Sequence, residues 1–261
     1  MLRPGSIGES LRVYWQPGCT SCLAAKQFLA RHGLAFESIN VRAQPEAMQT
    51  LAILGARSVP VVTHGERWIY AQELRQLAVF LGVKETRVTL EPTQLAARID
   101  ALLTATAVMT RQLPERCLEQ SIAGREDRTL IDIPFHIAQI AAGLLDAAAG
   151  GELTYAHFER RPTGTARSVN TVAQTVRRVH ERFSDWVHTG IATPTTALLR
   201  TYYGEQPLVG VLERTAWHIA QHARQLEHSL VTQGLQPSSP LGDRELAGLP
   251  LPDGVWDAER S

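Results

Sequence analysis

Residues 13–26 read VYWQPGCTSCLAAK, and Cys19 and Cys22 are the first pair in the chain with the types and spacing to do chemistry. A Cys-x-x-Cys pair can clasp a metal, form a structural disulfide or run thiol–disulfide exchange. An alternating stretch precedes it, Leu11, Val13 and Trp15 against Arg12, Tyr14 and Gln16, and helix formers follow it. That order puts Cys19 where a strand ends and a helix begins. The unpaired N–H groups and partial positive charge of a helix N-terminus stabilise a thiolate. Cys19 is then the nucleophile. Cys22, one turn on, attacks the mixed disulfide and releases the product. A zinc site would need a second ligand pair, and this part of the chain offers only His32 and His64. The setting therefore favours a redox centre over a metal clasp. Lys26, two turns from Cys19, would add positive field but reads first as a solvated surface residue.

A second constellation lies in ERTAWHIAQHARQLEH, residues 213–228. His218 and His222 are four apart, so on a helix they share a face. Two neutral imidazoles so placed are a ready ligand pair for Zn²⁺, Ni²⁺ or Fe²⁺. His136 is the natural third ligand, because it interrupts the apolar helical run DIPFHIAQIAAG, where a polar side chain costs stability unless it is bonded. Asp132 and Arg214, each one turn before a histidine, could orient an imidazole or attract an anion; both read first as helix-surface residues. His157, His180 and His188 follow no pattern, His228 reads as an exposed helix end, and Cys117 reads as a buried, inert thiol.

The elements around these residues differ between the two parts of the chain. Residues 11–82 give the order βαβαββα: strands at 11–16, 35–41 and on either side of His64-Gly65, and helices ending at Gly33, Gly55 and Gly82. Such a run implies a small mixed sheet with helices on its faces. Beyond Gly82 strand signals vanish. Helices are expected near 92–112, 128–149, 166–189 and 207–232, an up-and-down bundle of four. The fold class is thus an α/β domain followed by an all-α four-helix bundle. The expected divisions are 10–83, a linker over 84–91 containing charged residues, the bundle over 92–236, and an irregular tail over 237–261.

The bulk numbers set limits. The 261 residues suffice for two cores, and 44% hydrophobic with 20% charged residues describes a globular chain. Lys plus Arg equals Asp plus Glu, 26 each, so no overall basic field draws the protein to nucleic acid or to an anionic membrane. The first ten residues lack the apolar core of a signal peptide. IAQIAAGLLDAAAG is too short to span a bilayer. Three cysteines make no secreted disulfide framework. A cytoplasmic protein is expected.

Residues 11–82 resemble a glutaredoxin or glutaredoxin-like domain of thioredoxin fold, on the strand-Pro17-x-Cys19-x-x-Cys22-helix opening and on Ser58-Val59-Pro60. The resemblance implies a cis Pro60 facing the sulfurs, with the Val59 backbone pairing a bound thiol peptide. Glutaredoxins commonly carry a lysine just ahead of this opening, where the chain has Gln16. They also often have a Gly-Gly-x-Asp-like stretch for glutathione, where it reads Tyr70-Ala71-Gln72-Glu73. The partner is therefore left open between glutathione, another low-molecular-weight thiol and a protein disulfide. Residues 90–232 resemble the DinB-like bundles, which include thiol-dependent isomerases and thiol S-transferases, on His136, His218 and His222. That resemblance implies a divalent metal on the three histidines, and such bundles often form homodimers.

Both resemblances point to thiols. The leading expectation is a thiol–disulfide oxidoreductase joined to a metal-dependent bundle acting on a small thiol or thiol conjugate. The alternatives are a reductase targeted or dimerised by a non-catalytic bundle, and a protein that handles a soft metal or metalloid through its cysteine pair.

Overall fold

A computed structural model describes residues 10–122, 125–190 and 196–257, which fall into two units. The last four positions of the expected tail, 258–261, lie outside the described residues.

In the first unit, β1 (Leu11–Trp15) leads through Gln16–Gly18 to α1 (Thr20–Arg31). Then come β2 (Glu37–Asn40), α2 (Pro45–Ile53), β3 (Val61–His64), β4 (Arg67–Tyr70) and α3 (Leu74–Leu81). The sheet order is β2-β1-β3-β4; β1 pairs parallel with β2 and antiparallel with β3, and β3 with β4 antiparallel. This is the expected βαβαββα order, a thioredoxin-like sheet with helices. The central strand is covered on both faces, since Val13, Tyr14 and Trp15 are all buried, which is why its alternation of residue types is incomplete. Leu29, Leu51 and Leu77, one from each helix, are fully buried as well. The β3–β4 hairpin turns at Gly65, whose φ of 61° is left-handed and favours glycine.

The second unit, residues 88–251, is mostly helical. α4 (Pro92–Thr110) starts with Pro92 in its first turn, and the Gln94 Oε1 accepts from the Glu91 N–H, a capping arrangement that fixes its start. With α5 (Asp132–Ala148) it packs against two longer helices, Val169–Gly190 and Leu208–Thr232. Leu95, Ile99, Leu102, Ile137, Phe183 and Leu226 are fully buried among them. The four helices start and end within a few residues of the expected places.

The expectation that strands vanish after Gly82 is corrected. β5 (Ser121–Ile122) pairs with β6 (Arg125–Thr129), and a three-stranded sheet joins β7 (Glu152–Leu153), β8 (Leu198–Thr201) and β9 (Gly204–Pro207). These strands have two to five residues, too few to show a period of two. The β7–β8 pairing joins Leu153 to Thr201, a contact no local pattern announces. A short α6 (Ala156–Glu159) follows β7, and in chain order the last two long helices are α7 (Val169–Gly190) and α8 (Leu208–Thr232). The tail contains one helical turn, α9 (Asp243–Leu246). Arg98 on α4 donates to the Arg244 and Ala247 carbonyls there. From Pro252 the chain belongs again with the first unit.

Candidate functional site

Cys19 caps α1 from an extended backbone conformation, and its Sγ accepts the Cys22 N–H at 3.2 Å. The two cysteines are joined as a disulfide with Cα atoms 5.2 Å apart. Cys19 is partly exposed, whereas Cys22 is buried. The first cysteine is therefore the more accessible of the two. The Val59–Pro60 bond is cis, as the resemblance implies. The carbonyl of Val59 accepts from the buried Gln72 Nε2 at 3.1 Å. Gln72, in the stretch that replaces the Gly-Gly-x-Asp-like one, thus holds the cis-proline loop. Tyr70 acts similarly: its hydroxyl accepts the Arg57 N–H at 2.9 Å.

Lys26 is not the solvated residue expected from sequence. It is buried, its ammonium lying 3.6 Å from the centre of the Trp15 ring and 2.5 Å from a carboxylate oxygen of Asp257. Nothing in the spacing of the chain points to a partner so far away.

In the helical unit, His136 on α5 and His218 and His222 on α8 come together, their potential ligand atoms all within 4.8 Å of one another. Among the described residues, no other three groups of His, Cys, Asp or Glu converge in this way. Ring centres are 5.5 Å apart for His136–His218, 4.7 Å for His136–His222 and 5.0 Å for His218–His222. His222 Nδ1 faces the Gln225 Oε1 at 2.7 Å. That bond places the proton on Nδ1 and leaves Nε2 a lone pair for a cation. Among the described residues, the buried Nδ1 of His218 has no hydrogen-bond partner, a costly arrangement unless the atom has another role. Burial first, then the charges of Arg214, His222 and His136, hold the His218 imidazole well below its ordinary proton affinity, so it stays neutral. An orphaned nitrogen, a neutral ring and an oriented ring fit a divalent cation.

Arg214 and Asp132 are corrected from surface residues to buried ones. Asp132 accepts the Thr129 N–H at 2.8 Å, closing the turn into α5. Arg214, at 2% exposure, donates to the Tyr202 hydroxyl at 3.0 Å and lies against the rings of Phe158, Tyr202 and Tyr203. Phe158 also meets His136 and His218 edge-on or tilted, each at 5.7 Å. The short strands thus have a use: the β8–β9 turn brings Tyr202 and Tyr203, and α6 brings Phe158, to the histidines. Gln225 could be found from sequence, three residues from His222 on the same face; Phe158 and Tyr202 could not.

The remaining candidates are structural. His157 Nδ1 accepts from the Thr154 N–H while Nε2 meets Asp146 at 3.2 Å. His180 pairs with Asp100 at 2.6 Å, and His188 donates to the Ser184 carbonyl. Cys117 is buried, and burial pushes its thiol up, in keeping with an inert thiol.

The sequence pattern of the Glutaredoxin family matches residues 11–69. The glutaredoxin-like protein NrdH of Lactococcus lactis subsp. lactis (strain IL1403) is 37% identical over 51 residues, 20% of this chain and 71% of the relative. Its namesake in Salmonella typhimurium (strain LT2) is 37% identical over 57 residues, 22% of this chain and 70% of the relative. The Escherichia coli (strain K12) protein of that name is 38% identical over 56 residues, 22% and 69%. No solved structure matches the chain. The matched residues contain the dithiol, the cis-proline loop and all but the end of the hairpin, and they stop short of the helical unit. Through this first unit the chain belongs to the glutaredoxin family.

Proposed function

We propose that the protein is a thiol enzyme with two sites: a dithiol oxidoreductase joined to a DinB-like four-helix bundle that binds a divalent metal and acts on a small thiol or thiol conjugate, as an S-transferase or isomerase. At the first site the Cys19 thiolate attacks one sulfur of a substrate disulfide and expels the other as a thiolate. The Cys22 thiolate then attacks Cys19 Sγ, releases the second thiol and leaves the Cys19–Cys22 disulfide, so two electrons pass to the substrate. A thiol such as glutathione, or a protein dithiol, would restore the pair. The partly exposed Cys19 and the buried Cys22 support this order.

The second site is carried by one observation, the three converging imidazoles with the orphaned His218 Nδ1. Zinc, nickel or iron held by His136, His218 and His222 would supply Lewis acidity and lower the pKa of a bound thiol. Gln225 orients His222. The buried Arg214 guanidinium favours an anionic ligand, such as a thiolate, beside His218. Phe158 packs against two of the three imidazoles, and Tyr202 against Phe158. Joining both sites in one chain raises the concentration of each product near the other site. We place this chemistry in the cytoplasm, where thiols are kept reduced.

The test is elemental analysis of the untreated full chain beside His218→Ala, with disulfide reduction assayed in the same preparations and in Cys19→Ser. One metal per chain, lost in His218→Ala, with reductase activity lost only in Cys19→Ser, is the expected result. Metal-free parent protein, or unchanged metal in His218→Ala, removes the second site. A specific observation favours one other reading, a reductase with a non-catalytic docking or dimerising bundle: the fixed positive charge of Arg214 beside His218 works against a cation there. Metal-free protein with full reductase activity would select it.

A further inference from the structure

The segment after the helical unit returns to the dithiol helix. The Asp253 N–H donates to Gln27 Oε1 at 2.7 Å, and Asp257 Oδ2 lies 2.5 Å from Lys26 Nζ. The two side chains of that ion pair are only 8% and 13% exposed. Lys26 follows Cys22 by four residues on α1, hence on the same face, and helical side chains lean toward the N-terminus, which here carries the dithiol. Its ammonium also lies on the ring of Trp15, the buried last residue of β1, just before the Gln16–Gly18 turn into Cys19. One ion pair, largely out of water, thus sits against both elements that position the sulfurs. Surface charges are screened within about 10 Å at ordinary salt, but a buried pair is screened much less. The Lys26 charge favours a thiolate at Cys19, and the Asp257 charge opposes it.

We propose that Asp257 is a positioning residue of the dithiol centre: it holds the Lys26 ammonium on Trp15, offsets its field, and so sets how readily Cys19 ionises and how oxidising the pair is. When a dithiol reductant such as dithiothreitol reduces the centre, two electrons pass to the disulfide. Cys22 takes up one proton, Cys19 is left as a thiolate, the other proton goes to solvent, and the reductant leaves as a cyclic disulfide. Whatever stabilises the Cys19 thiolate therefore stabilises the reduced form. The C-terminal segment would thus tune the first unit's reactivity. The inference rests on the dithiol reading alone, which loss of reductase activity in Cys19→Ser tests separately.

The experiment uses the full chain with Asp257→Asn, Lys26→Met and both together. Alkylation of reduced Cys19 by iodoacetamide is followed by peptide mass spectrometry across pH, and the thiol–disulfide equilibrium is measured against dithiothreitol. A unit charge about 10 Å away, at the effective dielectric of a protein, changes the equilibrium by up to about tenfold. Asp257→Asn should move the alkylation profile to lower pH, speed reaction at pH 6 by up to about tenfold, and favour the reduced form by as much, about 30 mV. Lys26→Met should do the reverse, and the double variant should return to within about twofold of the parent. Opposite shifts in the two single variants are the signature of charge, since loss of packing would move both alike. Both shifting in the same direction, or neither shifting while the chain stays folded, overturns the proposal. If one single variant fails to fold, the other, read against the double variant, which leaves no unpaired buried charge, decides: a shift in the single variant that the double cancels supports the proposal, and parent-like profiles in both overturn it.

Discussion

Acidification of the metal-free protein should cost the helical unit stability through one named residue, His218. It is 6% exposed, and burial, Arg214, His222 and His136 all resist its protonation, in that order. In the unfolded chain the same imidazole titrates near its ordinary value of about 6.5. Above that pH neither state holds the proton and His218 contributes no pH dependence. Below it the unfolded chain takes up a proton that the folded unit refuses, so stability falls by about 1.4 kcal/mol for each pH unit. Each pH unit over which the folded imidazole stays neutral thus removes an appreciable share of the roughly 5–15 kcal/mol that stabilises a typical domain. The assay is urea unfolding of chelator-treated full chain at pH 7.0, 6.0 and 5.0, with His218→Gln as the reference that cannot titrate. The stability difference between parent and variant should shrink, or become more negative, as the pH falls. A difference that stays constant from pH 7.0 to 5.0 refutes the reasoning, because His218 would then be protonated as easily folded as unfolded.

Other consequences follow from the same geometry. On the proposed order of attack, Cys22→Ser leaves no thiol to resolve Cys19, so a mixed disulfide on Cys19 should accumulate and be visible by non-reducing mass spectrometry. Gln72→Ala leaves the buried Val59 carbonyl without its donor and should cost about 1–3 kcal/mol in denaturant unfolding of the first unit. If the three histidines hold the proposed metal, Gln225→Leu, which removes the acceptor facing His222 Nδ1, should weaken its binding about 10–100-fold by competition with a chromogenic chelator. Gly143→Ala on α5 puts a Cβ 2.5 Å from Leu153 Cδ1 and 3.4 Å from His157 Cγ. Overpacking of about 1–3 kcal/mol, less about 1 kcal/mol gained in helix propensity, should lower the unfolding midpoint.

Much of the dithiol centre is legible in the chain because its determinants are local. A strand, a Pro-Gly turn, two cysteines three apart and a helix run within about twenty residues, and the backbone there has few other solutions. The histidines are legible for a related reason: period 3.6 puts His218 and His222 on one face, and an apolar run makes His136 conspicuous. Lys26 shows where this reasoning stops. Its sequence neighbours describe a helix surface, and only Asp257, 231 positions later, makes its burial affordable. Arg214 fails in the same way, since the rings that enclose it come from α6 and the β8–β9 turn.

By itself, then, the sequence determined the order of elements in the first unit, the sulfur pair at a helix start, and two imidazoles placed on one helix face, with a third conspicuous in an apolar run. Those are consequences of spacing, steric limits on the backbone and the pattern of apolar residues. Tertiary structure alone decided what surrounds them: Gln72 on the Val59 carbonyl, Asp257 on Lys26, Tyr202 on Arg214, and strands too short to announce themselves. Burial of a charge or an amide depends on partners brought from far along the chain, and local periodicity carries no record of them.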